Sequence, residues 1–423
     1  MGMKTTCALV IAAATFGCGS STPATFTGDA PAHPDAPTSI DGPPPGNIHF
    51  RPAVSFGTGP NPAGVALADL DGDGRLDIVV GDRASDLVSV LINTTAAGST
   101  TPSFADHADF ATGDTGSGAI GSPAVAVADL DGDGRPDVVA GNSRGALSVL
   151  MNATVAGSSA LAFAAHADVP SIENATSIAV DDFNADGKPD LAVIAGGPTG
   201  TSATVSVFLD TTTGSTPAFA PRLDITTGAD ANHVVAADVN GDALPDLVVS
   251  NGVASKLSIL TNTTAPSASA ATFAKSDLET ANGPVALASA DFNGDGKPDL
   301  AAAEVFAGGA AVEVFLDKTA SEATPTFATT GAQAAEISVP LAIAASDLDG
   351  DGKPDLVIVG DDQVSVWLDT TPPNTSAVTF AGHVDFSDSG PIAIAVGDLN
   401  GDGKPDLVMS SSTSDTVSVL LAE

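Results

Sequence analysis

The sequence predicts an all-β fold, a seven-bladed β-propeller with four antiparallel strands per blade. Three observations predict it. One acidic nine-residue pattern recurs seven times, its copies begin 51 to 60 residues apart, and the same order of strand-like segments surrounds each copy. A long, near-fixed period marks a repeat architecture, in which each unit buries its apolar face against its neighbours.

The first segment of each unit is short and alanine-rich, as in 64–70, 124–130 and 342–348. Small side chains suit an innermost strand, where the blades crowd the axis. The acidic pattern follows. A second segment then reads DIVVGD at 77–82 and DLVIVG at 355–360, β-branched runs of strand length. The third, such as LVSVL at 87–91, alternates polar and apolar residues as a half-buried strand does. After a Thr/Ser/Gly-rich connection comes a fourth, SFADHADF at 103–110 and TFAGHVDF at 379–386. The last unit stops at Glu423 without a fourth segment, and a matching HFRPAVSF stands at 49–56, ahead of the first unit. The N-terminal strand is therefore expected to complete the last blade and close the ring.

The acidic pattern carries chemistry. Its first copy places Asp69, Asp71, Asp73 and Asp77 at positions 1, 3, 5 and 9, with Arg75 at position 7 offering a backbone carbonyl. Calcium takes about six to eight oxygen ligands, and oxygens at those five positions wrap it well. The second copy supplies Asp129, Asp131, Asp133, Arg135 and Asp137, and the third Asp182, Asn184, Asp186, Lys188 and Asp190. The fourth supplies Asp238, Asn240, Asp242, Leu244 and Asp246, and the fifth Asp291, Asn293, Asp295, Lys297 and Asp299. The sixth supplies Asp347, Asp349, Asp351, Lys353 and Asp355, and the seventh Asp398, Asn400, Asp402, Lys404 and Asp406. Up to seven Ca2+ ions are expected, one per blade. Position 12 is apolar in every copy, from Val80 to Met409, where an EF-hand carries glutamate. The expected site is thus a strand–loop–strand one. Position 6 is a glycine suited to a left-handed turn, except for Ala243 in the fourth copy, which marks the Asp238 loop as the weakest.

These loops resemble the FG-GAP/VCBS repeat family, the calcium-loop propellers also seen in integrin α-subunit heads. The resemblance covers about residues 48–423. It implies calcium ligands at positions 1, 3, 5, 7 and 9 of each loop, with Ala243 departing from the pattern.

Net charge is −38, which argues against nucleic acid as a partner, since phosphate recognition needs clustered Lys and Arg. Of the 52 acidic residues, 24 are aspartates of the seven loops, so much of the acidity is ligand charge. The opening residues, 1–17, read as a secretory signal ending in TFGC, similar to a bacterial lipobox with Cys18 as the lipidated residue. Residues 18–47 read as a flexible Pro/Ser/Thr-rich tether. The expected setting is the bacterial cell envelope, with the membrane reached only through the lipid, or simple secretion. With Cys7 lost alongside the signal, no disulfide forms, and metal does the stapling.

A monomeric, non-enzymatic binding or adhesion module for protein or polysaccharide is the leading functional expectation. A propeller-based polysaccharide lyase or hydrolase, or a lectin, is the alternative. His107, His166 and His383 recur at one place in the fourth segments and read as structural, and Trp367 reads as core. His233 breaks the repeat; it reads as a surface histidine, with the axial mouth as the other placement. Glu304 and Phe306 fall in an unusual loop, EVFAGGAA, read as a plain insertion, with projection from the ring as the other reading.

Overall fold

The computed structural model describes residues 48–423, apart from 86, 114–123, 143–145, 159, 171–174, 196–201, 307–308, 322, 336, 338, 361–362 and 389. The signal segment, Cys18 and the tether lie outside the described residues. The described chain forms seven four-stranded antiparallel sheets, each ordered inner, second, third and outer strand. Blade 1, for example, comprises Pro62–Ala68, Asp77–Asp82, Leu87–Leu91 and Ala108–Ala111.

Burial follows position in the blade. Second strands such as Asp77–Asp82, Asp246–Asn251 and Asp406–Ser411 are buried at every residue. Outer strands such as Ala108–Ala111 and Val384–Ser387 alternate half-buried and exposed residues, as edge strands with one wet face do. The core lies between blades. Leu257 and Val248 of blade 4 pack with Leu287, Leu300 and Phe315 of blade 5. Likewise Val65 and Ile78 of blade 1 join Ile394, Val396 and Met409 of blade 7. No blade buries its faces alone, which is why the ring must close.

Closure is made by the N-terminal strand, as the sequence predicts. Val54–Gly57 is the outer strand of blade 7, with Val54 opposite Val419 and Gly57 opposite Thr416. Phe50 bridges Ala422, Arg51 N donates to Leu421 O at 2.8 Å, and Glu423 N donates to His49 O at 2.8 Å.

Three expectations are corrected. The outer segment of blade 1 is in two parts: Phe104 bridges Asn93, and the strand resumes only at Ala108. Glu304 is not in a projecting loop. It ends a lengthened second strand, Asp299–Phe306, and is fully buried, while Phe306 is 40% exposed. His233 is neither a surface residue nor open to the axial mouth. It is 5% exposed, and its Nδ1 accepts from Leu287 N of the next inner strand at 3.2 Å, so it serves a seam between blades. Trp367 is buried as expected, donating from Nε1 to Ser365 Oγ at 3.1 Å and stacking on His383.

Candidate metal centres

Each acidic loop joins the inner and second strands, so all seven lie on one face of the ring. Position 1 organises the turn. In the first loop Asp69 Oδ1 accepts from Gly72 N and Asp73 N, at 2.8 and 3.0 Å, and Oδ2 from Gly74 N at 2.9 Å. The bond from the position-6 amide recurs in all seven loops, ending with Gly403 N to Asp398 Oδ2 at 2.8 Å. Position 6 is left-handed throughout: φ is 90° at Gly74 and 68° at Ala243, which holds the same turn against its Cβ. Position 4 is left-handed as well, and the third loop places Ala185 there at φ 52°. The sequence reading missed Ala185; the signal was the alanine in NADG where six copies have glycine.

Position 9 does more than the sequence disclosed. Asp77 is fully buried, and its Oδ2 accepts from Leu70 N at 2.9 Å while Oδ1 accepts from Asn93 N at 2.8 Å. That carboxylate pins the loop to the exit of the third strand. The same two bonds recur at Asp137, Asp190, Asp246, Asp299, Asp355 and Asp406. Burial pushes the Asp77 carboxyl up to about 8 and that of Asp406 up to about 6, against the amide bonds that lower them.

The carboxylates converge in part. One oxygen each of Asp69, Asp71 and Asp77 lie within 4.8 Å of one another; the same holds for Asp129, Asp131 and Asp137, and for Asp347, Asp349 and Asp351. These are the three loops with Asp at position 3. Burial first, and then the position-5 carboxylate, raise Asp71, Asp131 and Asp349. In three of the four loops with Asn at position 3 its amide bonds the position-5 carboxylate: Asn184 Nδ2 donates to Asp186 Oδ2 at 3.0 Å, Asn240 Nδ2 to Asp242 Oδ2 at 2.9 Å and Asn400 Nδ2 to Asp402 Oδ2 at 3.0 Å, whereas the buried Asn293 amide has no partner. The donor set is all oxygen, crowded and short of positive charge, so it fits a hard divalent cation.

Position 7 is not simply turned outward. Arg75 and Arg135 fold back onto the position-5 carboxylates Asp73 and Asp133, and Arg75 Nε donates to Asn93 O at 2.8 Å. In five of the seven loops the identity of this residue tracks the one leaving the third strand, Leu244 with Asn262 and Lys404 with Ala422 being the exceptions. Arg75 and Arg135 go with Asn93 and Asn152, whereas Lys188, Lys297 and Lys353 go with Asp210, Asp317 and Asp369. The Asn side chains reach the preceding blade's loop, Asn152 Nδ2 donating to Leu70 O at 2.9 Å. The Asp versions lack that donor. Burial raises Asp210 and Asp369, the neighbouring lysine opposes this, and Oδ2 of each is buried without a partner.

The loops also hold the next blade. The position-3 carbonyls of Asp71, Asn184, Asn293 and Asn400 accept from Gly157 N, Ser267 N, Asn374 N and Gly98 N, at 2.5 to 2.6 Å.

Residues 40–80, 129–193, 182–249 and 347–409 match a family described as the FG-GAP-like repeat, and residues 283–312 match the FG-GAP repeat. These matches cover more than half of the chain. The chain belongs to the FG-GAP repeat family. No curated protein matches this FG-GAP chain. Among solved structures, a lectin from Agrocybe aegerita, described as recognising non-reducing terminal N-acetylglucosamine, is similar over 84% of this chain and 86% of that one. Its TM-score is 0.47 and the identity 18%.

The outer-strand histidines all meet aspartates. His107 Nδ1 lies 2.7 Å from Asp109 Oδ1 and His383 Nδ1 3.0 Å from Asp385 Oδ1, with His166 Nε2 3.9 Å from Asp168 Oδ1. Arg222, at the equivalent place in blade 3, pairs with Asp224 at 3.1 Å. A groove of about 350 Å³ runs between blades 2 and 3, lined by Asp168, Phe208, Phe219 and Arg222 among others.

Proposed function

We propose that this FG-GAP propeller is an exported, calcium-braced binding module of the cell surface, without catalytic activity of its own, whose ligand is a protein or a polysaccharide. The observation that carries the metal half is the convergence of three carboxylates in each of the first, second and sixth loops. The side chains at positions 1, 3, 5 and 9, with the position-7 carbonyl, would hold the ion. Bound there, calcium supplies positive charge that offsets the repulsion among carboxylates that burial already strains.

The chain's own residues do the rest. Position 1 shapes the turn, position 9 pins the third strand, and the position-3 carbonyl reaches the next blade. A loop held rigid therefore stiffens its own blade and a neighbour together. The groove between blades 2 and 3 favours a polysaccharide within this reading, because half-buried Phe219 beside Arg222 and Asp168 offers an apolar face with polar groups at its edge. In the same reading residues 1–17 are the signal, Cys18 carries the lipid and 18–47 is the tether.

The test takes residues 48–423. Calorimetric titration with calcium should show binding, and the melting temperature should fall in chelator. Identical melts with and without calcium would overturn the bracing role. Incubation of the calcium-loaded protein with a polysaccharide panel, read by pull-down and product mass, should give capture without new products. New oligosaccharides would overturn the non-enzymatic reading.

A further inference from the structure

Blade 5 breaks the repeat at one buried place. Six blades carry serine in the middle of the third strand, as at Ser89, Ser148 and Ser365, and blade 5 carries Glu313. The strand register puts Glu313 opposite Ala302 and Ala311 opposite Glu304. Glu304 and Glu313 are thus diagonal neighbours on one face of the sheet, within reach of each other's long side chains. Both are interior residues, 0% and 4% exposed.

Their donors do not suffice for two carboxylates. Asn282 Nδ2 donates to Glu304 Oε2 at 3.0 Å, and Ala281 N donates to Glu313 Oε2 at 2.8 Å. Thr329 Oγ1 donates to Glu313 Oε1 at 2.5 Å. Glu304 Oε1 is buried and has no donor. Among the described residues no Lys, Arg or His pairs with either glutamate. On the adjoining segments of blade 4, Lys256 is taken by Glu279 at 2.9 Å, and the Asp230 carboxylate and the carbonyl of Pro284, the residue opposite Glu304, approach the same side of Gly252, so the nearest further charge is another negative one. A buried charge without a counter-charge takes up a proton instead.

We propose that Glu304 and Glu313 share a single proton and form a pH-sensitive lock at the end of blade 5, on the face opposite the acidic loops. With the proton in place, one carboxyl donates to the other and the end of the hairpin is satisfied. With it gone, two like charges in contact strain the strands Asp299–Phe306 and Gly309–Asp317 apart, next to the exposed Phe306. Burial, and then the Glu313 carboxylate, push Glu304 up to about 8, while the Asn282 bond opposes them. The unfolded glutamate titrates near its ordinary value of 4.5. The folded state therefore holds the extra proton between those values, and stability falls as pH rises through that window. The inference does not depend on the metal reading.

The experiment compares the wild-type propeller with E304Q and E313Q, and with E313S, which restores the residue of the other blades. All are melted in excess calcium from about pH 5 to about pH 9. The wild type should lose melting temperature with pH more steeply than each variant, because the seven position-9 aspartates are common to all. Carbon-13 titration of labelled glutamate carboxyls in the wild type should show one midpoint well above the ordinary range, which vanishes in E313Q. Equal slopes in wild type and variants, or every glutamate titrating in the ordinary range, would overturn the proposal. So would loss of one bound calcium in E313Q, which would make the pair a metal site. If E304Q does not fold, the wild-type carbon titration decides.

Discussion

At the scale of single residues, and on the metal reading proposed above, the position-9 aspartates combine two duties that sequence spacing could not separate. Asp137 is buried, and its oxygens accept Leu130 N at 2.9 Å and Asn152 N at 2.6 Å. Removing them orphans two buried donors, each costing about 1–3 kcal/mol. Asp137→Ala should therefore destabilise the propeller in urea even in chelator, whereas Asp133→Ala at the exposed position 5 should do so chiefly when calcium is present. No loss for Asp137→Ala in chelator would show that position 9 has no role apart from metal. The two strained alanines give the opposite sign. Ala185→Gly and Ala243→Gly each release a Cβ from a left-handed turn and should stabilise by about 1 kcal/mol. Ala243→Gly should also raise calcium affinity at the Asp238 loop, read by site-resolved NMR. An unchanged midpoint of denaturation in both variants would count against the strain argument.

At the scale of the element, the blade was legible because its four strands repeat. Inner alanines, the acidic turn and the alternating third strand each match a position in the sheet. Departures from the repeat were visible too, but not their consequences. His233 and Glu304 look like surface exceptions in the sequence, and only packing against the next blade or the next strand reveals them as interior groups. The Asn/Asp alternation at the exit of the third strand was also readable, yet its meaning depends on a carbonyl in another blade. Asn152 donates to Leu70 O, and Asp210 in blade 3 has an orphaned oxygen instead. Asp210→Asn should restore a donor toward the second loop and stabilise by roughly 1 kcal/mol. Denaturation at pH 7 should show it; a loss of stability would mean that Lys188 relies on the Asp210 charge.

At the scale of the whole molecule, the ring has one seam, and the seventh loop holds both sides of it. Asp406 Oδ1 accepts from Ala422 N at 2.8 Å, fixing the chain end that pairs with His49–Arg51. Across the seam, Gly98 N donates to Asn400 O at 2.6 Å and Asn93 Nδ2 to Leu399 O at 2.8 Å. The other loops join blades that covalent connections already link in sequence. At the seam blade 1 follows the outer strand of blade 7 directly, so what keeps that strand seated also keeps the ring shut. Since adjacent blades share their cores, opening here exposes apolar surface on both blades. On the metal reading proposed above, emptying the seventh loop should therefore loosen more structure than emptying the second. Hydrogen exchange in excess calcium would compare Asp398→Ala/Asp402→Ala with Asp129→Ala/Asp133→Ala. The first pair should lose protection in 416–422 and, distant in sequence from the substitutions, in 49–57 and 93–98. The second should lose it only around its own loop and the third-strand exit at Asn152, which Asp137 holds. Matching patterns confined to each altered loop would show that closure rests on strand pairing alone, and deletion of 48–58 would then be the only way to open the ring.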